Sequence, residues 1–290
     1  MAGIDINRTT AGVSLPPQVS ADVWGLTVNE SAVMKAARRI NVPGSGIAVD
    51  IVNGVGDAAW VAETAPKPVV GAEFSNRQLF PHMMAIILPF SNQFRRDKAG
   101  LYRECVRVLP TRLGKLFDET ALGEHPSPGA GFDTLAGAQQ VEIDGATAFD
   151  DLLALRAALG VRPTAWITDS TLETALLGAK DTDGTRPFVS DYANDLSIGR
   201  IFGAPVYPTD AEFTEPVTGV VGDFANSAVW GSVEGIQYSE SDQASLTLAD
   251  NSTINLWQRN MFAVRFEIEL LFGVRDLSKF ARITSPIPTP

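Results

Sequence analysis

The feature that most restricts the fold lies near the C-terminus. Phe262, Val264, Phe266, Ile268, Leu270 and Phe272 alternate with Ala263, Arg265, Glu267, Glu269 and Leu271. An apolar period of two over this run places one set of side chains on one face of a strand. The pattern predicts a half-buried antiparallel strand, ending at Gly273.

Residues 47–90 carry a second extended pattern. Ile47, Val49 and Ile51 alternate with small or polar residues, and Asn53-Gly54 is a turn signal. Residues 74–90 read as one long strand, closing on the apolar run Met83-Met84-Ala85-Ile86-Ile87-Leu88-Pro89-Phe90. Arms of about 15–20 residues, at roughly 3.3 Å each, would reach ~50–65 Å. That exceeds what a compact domain needs, so the hairpin is either an exposed arm for a neighbour or the edge of a larger sheet.

Residues 91–123 read as helix, with Ser91 as N-cap and Gly123 as terminator. Leu101, Cys105, Val108, Leu109, Leu113, Leu116 and Phe117 form an apolar stripe. The other face carries Arg95, Arg96, Lys98, Arg103, Arg107, Arg112 and Lys115 against Asp97 and Glu104. Pro110 predicts a kink or a split. Before this, Ser14-Leu15-Pro16-Pro17 reads as extended, and residues 19–40 as helical pieces that include Val33, Met34, Ala37 and Ile40. After it, residues 125–131 read as loop.

Residues 146–255 read as a mixed block. Helices are expected at 148–159 and 170–179, and a turn at Asp183-Gly184. Strands are expected at 164–168, 204–207, 217–222 and 227–230. This block is acidic: residues 141–255 hold 18 Asp and Glu against 5 Lys and Arg, whereas the remainder holds 16 against 18. The overall charge of −11 argues against a general DNA-binding surface. The asymmetry suggests two regions facing different surroundings. The basic helix face suits nucleic acid or an acidic neighbour, or is simply solvated.

Few residues are available for chemistry. Cys105 is the single cysteine, which excludes an internal disulfide, a zinc ribbon and an iron–sulfur cluster. His82 and His125 are far apart in sequence and outside any metal-binding helix motif. Asp181-Thr182-Asp183-Gly184 resembles the start of a calcium loop, but its twelfth position is Tyr192 rather than glutamate. Gly54-Val55-Gly56 lacks the third glycine of a dinucleotide loop, and there is no Gly-x-Ser-x-Gly. Asp150 and Asp151 point about 100° apart on their helix and cannot grip one substrate atom. The Asn-x-Ser/Thr matches at Asn7, Asn29 and Asn251 follow no signal sequence, since Met1-Ala2-Gly3-Ile4-Asp5 opens no basic and apolar leader. No apolar run approaches the ~20 residues of a membrane-spanning helix. The expectation is a protein without catalytic, cofactor or metal site, whose work is contact with copies of itself.

The order of motifs resembles the major capsid proteins of tailed double-stranded DNA phages, the Hong Kong 97-type fold, from about Leu15 to Ile283. Trp60-Val61-Ala62-Glu63-Thr64-Ala65-Pro66-Lys67-Pro68 is similar to that family's extended-loop signature. Leu88-Pro89-Phe90-Ser91-Asn92-Gln93-Phe94-Arg95-Arg96-Asp97 is similar to the strand leading into its spine helix. Trp166-Ile167-Thr168-Asp169-Ser170 and Lys180-Asp181-Thr182-Asp183-Gly184 resemble its axial domain. Phe202-Gly203-Ala204-Pro205-Val206 and Gly222-Asp223-Phe224 resemble the next landmarks. Val274-Arg275-Asp276 and Phe280-Ala281 resemble the closing peripheral strand.

The resemblance implies an α+β fold. Its parts are an N-terminal arm with short helices (1–46), an extended β-hairpin loop (47–90), a spine helix with part of the peripheral domain (91–145), an axial domain (146–245), and closing peripheral strands with the tail (246–290). It implies hexamers and pentamers of an icosahedral virion shell, assembled in the host cytoplasm around double-stranded DNA, with portal, separate scaffolding and decoration proteins as partners and no membrane. A cargo-holding nanocompartment of the same fold and a soluble enzyme are the alternatives. The nominated inter-subunit contacts are Trp60, Glu63, Lys67, Phe74 and Arg77 on the hairpin, and Arg95, Arg96, Arg103 and Arg107 on the helix. One branch of the family crosslinks a hairpin lysine to an asparagine with help from a glutamate. Lys67 lies near the expected tip, but no motif supplies the other two groups, and an ordinary contact is the favoured reading.

Overall fold

The alternating segment forms the strand Met261–Val274, around which a five-stranded sheet is built. His82–Ser91 runs antiparallel along one edge of it. Gln237–Ser241 and Ala228–Ser232 run antiparallel along the other. Arg38–Asn41 then adds parallel to Ala228–Ser232. These features come from a computed structural model that describes residues 31–55, 58–61, 67, 69–97, 99–143, 148–169, 172, 188–190, 199–248 and 250–284. The arm at 1–30, the helix at 170–179 apart from Leu172, the Asp183-Gly184 turn and the tail at 285–290 lie outside the described residues.

Phe262, Val264, Phe266, Ile268, Leu270 and Phe272 all face one core. There they meet Leu109, Leu113 and Phe117 of the helix Ala99–Leu122. A face with period two packs against a stripe with spacing three to four, and aromatic edges fill the seam. Phe117 and Phe272 are T-shaped at 6.2 Å, and Phe117 and Phe132 at 6.3 Å. The opposite face of the strand is not polar throughout. Leu271 is fully buried there, beneath Val42 and Leu79. The strand also passes Gly273 rather than ending at it. A Cβ on Gly273 would sit 2.4 Å from Leu79 Cδ1, so the glycine leaves room for a crossing segment.

The strand expected at 74–90 is two strands. Ala72–Leu79 pairs with Ile47–Val55 in a separate ribbon, and His82–Ser91 joins the main sheet. The handover falls where Phe80 N–H donates to the Gly131 carbonyl at 3.1 Å and Pro81 has no N–H to give. Gly131, at φ +78°, comes so close to Phe80 that a side chain has no room. Asn53-Gly54 makes no turn: the first strand continues to Val55, with a register shift between Val52 and Gly54, as a bulge produces.

Two helical expectations also change. Only Ala32–Ala36 is helical in the described part of residues 19–40, and Ile40 lies in a strand held by pairing to Gly231. Tertiary pairing outweighs the local pattern there. The helix Ala99–Leu122 runs through Pro110 without splitting, with Leu109 and Leu113 buried on either side; a separate short helix, Asn92–Asp97, precedes it.

A seven-stranded sheet forms the second layer. Its order is Gln139–Glu142, Phe280–Thr284, Val217–Gly222, Ala165–Thr168, Ala204–Pro208, Gly199–Ile201 and Phe188–Ser190. Ile167, Val220 and Phe280 face the main core. Trp166, Val221 and Ile283 face the helix Ala148–Leu159 through Leu152, Leu155 and Leu159. With both faces covered, all six positions of Val217–Gly222 are buried, and the segment shows no apolar–polar alternation.

One buried carboxylate ties the layers together. Asp118, on the long helix, accepts from Ser31 Oγ at 2.5 Å, Ala32 N–H at 2.8 Å, Val33 N–H at 3.3 Å and Thr209 Oγ1 at 3.0 Å. It thereby caps the short helix and holds the loop after Ala204–Pro208. Burial pushes its carboxyl up to about 6 from 3.8, and the four donated hydrogen bonds pull it back only in part. The folded-state value lies above the unfolded one, so folding takes up a proton in this window and Asp118 adds stability as pH falls from about 6 towards 4. Between pH 7.5 and 4.5 the native subunit should gain about 2 kcal/mol over Asp118→Asn in urea unfolding of the unassembled chain. Parallel pH profiles for the two proteins would contradict this origin of the shift.

Candidate assembly surface

The hairpin leaves the body as strands of nine and eight residues, about 30 Å at strand rise. The second arm is shorter than residues 74–90 suggested, because the chain passes into the main sheet at His82. Among the described residues its two strands pair only with each other. A lone two-stranded ribbon is marginal in water and needs packing against something else.

Its root supplies some of that packing. Leu79, Val42 and Leu271 form a small core, with Ile47 and Val49 against it. Arg77 completes the root: its guanidinium donates to Asp133 Oδ1 at 2.6 Å and to the Val274 carbonyl at 2.9 Å. Asp133 Oδ2 accepts from Val274 N–H at 2.8 Å, so one carboxylate fixes the hairpin and the end of the long strand together. Beyond the root, several described residues stand in the open. Trp60 is 106% exposed and Val69 99%, and Lys67 is exposed as well. Large apolar side chains gathered in the open mark an interaction surface.

The other nominated residues divide. Arg95 is tied within the subunit, paired to Glu240 and lying 4.4 Å over the ring of Phe262. Arg96 pairs with Asp97 at 2.8 Å in a largely exposed contact. Phe74 sits opposite Val52 in the ribbon. Glu63, and the side chains of Phe74, Arg103 and Arg107, lie outside what is described. Thus Arg77 and Arg95 position parts of one chain, whereas Trp60 and Lys67 stand free at the surface. Sequence reasoning missed Asp118 and Asp133. Asp118 offered one signal, since it shares a buried helix face with Leu122 and Ala121; Asp133 offered none, because its partners lie 56 and 141 residues away.

His82 and His125, distant in sequence, line one groove of about 340 Å³ with Phe117, Phe132 and Leu270. Among the described residues no group of His, Cys, Asp and Glu is arranged to hold a metal, and no helix is long and apolar enough to cross a membrane.

The phage capsid family model matches residues 11–283. The chain is 29% identical to the probable major capsid protein gp17 of Mycobacterium phage L5, over 93% of this chain and 89% of that protein. Its fold matches a solved chain from Mycobacterium phage Adephagia with a TM-score of 0.69 at 19% identity, covering 90% and 91% of the two chains. It also matches the capsid of an empty GTA particle computed with C5 symmetry, with a TM-score of 0.64 at 13% identity, covering 98% and 95%.

Arg77→Ala should cost the unassembled subunit about 1–2 kcal/mol in chemical unfolding, the scale of charge-assisted hydrogen bonds at a half-exposed site. Arg77→Lys should recover less than half of it, because a lysine lacks the fork that reaches both acceptors. Equal stability of all three proteins would remove Arg77 as the clamp of the root.

Proposed function

Because the chain belongs to the phage capsid family, we propose that copies of it assemble as hexamers and pentamers of an icosahedral shell around double-stranded DNA. Family membership makes it a shell-forming structural protein and not an enzyme. Relatives named as phage capsid proteins do not favour the nanocompartment alternative.

The observation that carries the assembly reading is the hairpin, rooted in its own subunit yet bare at Trp60 and Val69. It would lie over a neighbouring subunit, with Lys67 in an ordinary contact there. The helix Ala99–Leu122 serves as the spine, and residues 1–46 as the N-terminal arm with its short helices. Residues 146–245, acidic on balance, serve as the axial domain at the capsomer centre, and residues 246–290, with the long strand Met261–Val274, as closing strands of the peripheral domain. Each contact between copies is modest, but every copy makes many, so closure stabilises the whole. Assembly in the host cytoplasm, with separate scaffolding, a portal and decoration proteins, completes the reading. The acidic balance of residues 141–255 keeps packaged DNA from adhering to the wall.

Electron microscopy of the purified chain tests this. Closed shells with five-fold vertices are expected, and a single-chain species under all assembly conditions would overturn it. Trp60→Ser should lower shell yield several-fold while leaving the unfolding midpoint of the subunit unchanged, because Trp60 is fully exposed within one copy. A lowered midpoint with unchanged yield would contradict the role given to the hairpin.

A further inference from the structure

The face of the five-stranded sheet turned away from the main core carries two cavities lined by charges of opposite sign. Arg265, Glu267, Glu269, Leu271 and Gly273 share that face, since the alternate residues of the strand point into the core. At one end a cavity of about 430 Å³ is lined by Glu234, Glu267 and Glu269, with Met83 on its wall. Met83 and Ile87, opposite Glu269 and Arg265 in the register, are exposed beside it. At the other end a cavity of about 340 Å³ is lined by Arg38, Arg77 and Arg275, with Val49 and Leu79 as its apolar part. Arg38 reaches that end because it is in register with Val229, which faces Gly273.

The two ends cannot neutralise each other within one copy. Glu269 and Gly273 are four residues apart, about 14 Å at strand rise, and the hairpin root covers Leu271 between them. Some of the charge is matched locally. Arg77 holds Asp133, Glu267 pairs with Arg265 at 3.1 Å, and Glu234 accepts from Gln237 at 2.7 Å. Arg38 is exposed and Glu269 half-buried, and among the described residues neither side chain has a hydrogen bond or ion pair.

We propose that this face is a contact between copies, in which Arg38 of one copy meets Glu269 of the next, each at the edge of its own cavity. The inference rests on the reading that copies assemble, and adds which surfaces meet. Opposite charges brought together at a contact select partner and register rather than merely adding affinity. Where one copy's two ends meet two different neighbours, the contact is head-to-tail and generates a ring when its rotation closes.

Reversing charges on the full-length chain tests the pairing, with shell yield read by sedimentation and electron microscopy. Arg38→Glu and Glu269→Arg should each cut yield by about tenfold or more, the effect of one like-charge contact repeated around a ring. The double variant R38E/E269R should return yield to within about threefold of native. Native yield in either single variant overturns the pairing, as does a folded double variant no better than the worse single one. Loss in R38E without loss in E269R marks the arginine cavity as a site for another anion and also overturns it. Circular dichroism and thermal unfolding establish that each variant folds. If a reversal does not fold, Arg38→Gln and Glu269→Gln take its place: each must lower yield, with a gap from native that narrows at high salt, and unchanged yield overturns the pairing. A native chain that never assembles overturns the parent reading and this one with it, whereas native shells alongside unaffected variants overturn this one alone.

Discussion

The packing of Leu79 over Gly273 and Leu271 decides how far the hairpin can stand away from the body. A side chain at Gly273 would lift the crossing segment, and the Arg77–Asp133–Val274 junction would lose its reach. With the glycine in place, a few apolar side chains and one forked ion pair secure the base of a ribbon that has no partner further out among the described residues. The subunit is therefore finished at the hairpin's base and unfinished along its length. That division makes a structural role in a multi-copy shell physically sensible.

The same face shows how one strand serves two purposes. The even-numbered positions of Met261–Val274 build the core with the long helix, and the odd-numbered positions carry the hairpin root flanked by charges of opposite sign. Period two places core and surface on successive residues, so a few turns of chain fix both. Asp118 does the corresponding work on the inner side: it gathers Ser31, Ala32, Val33 and Thr209 around the helix, so the first described residues are bound into the body. A buried charge there is tolerated because four donors surround it, and its raised affinity for a proton records the part of the desolvation cost that they leave uncompensated.

Legibility in the sequence followed the range of the interaction. The alternation at 262–272 foretold the central strand, and the stripe Leu109, Leu113, Phe117 foretold the helix face, because both patterns are local and long. The ends were misread where distant partners intervened. Gly273 looked like a terminator, yet its glycine answers Leu79, nearly two hundred residues earlier. Residues 74–90 looked like one strand because Phe80 and Pro81 interrupt it only through the Gly131 carbonyl. Ile40 looked helical because its strand exists only by pairing with Gly231. Among the surface residues, Trp60 was nominated through the resemblance of its segment to the family's extended loop, and the fold leaves it exposed. Arg77 and Arg95 were nominated as contacts, but they anchor their own chain, a role that depends on Asp133, Glu240 and Phe262 being brought alongside by the fold.

The central claim is that the hairpin is held at its root by its own chain and along its length by another. Hydrogen exchange of the backbone amides in Ile47–Val55 and Ala72–Leu79, compared between unassembled subunits and closed shells, tests it most directly. Amides next to the root should be protected in both, and those towards Val55 and Ala72 should exchange fast in the subunit and slow by orders of magnitude in the shell. Equal protection in the two states would show that the ribbon needs no second copy, and would contradict the account.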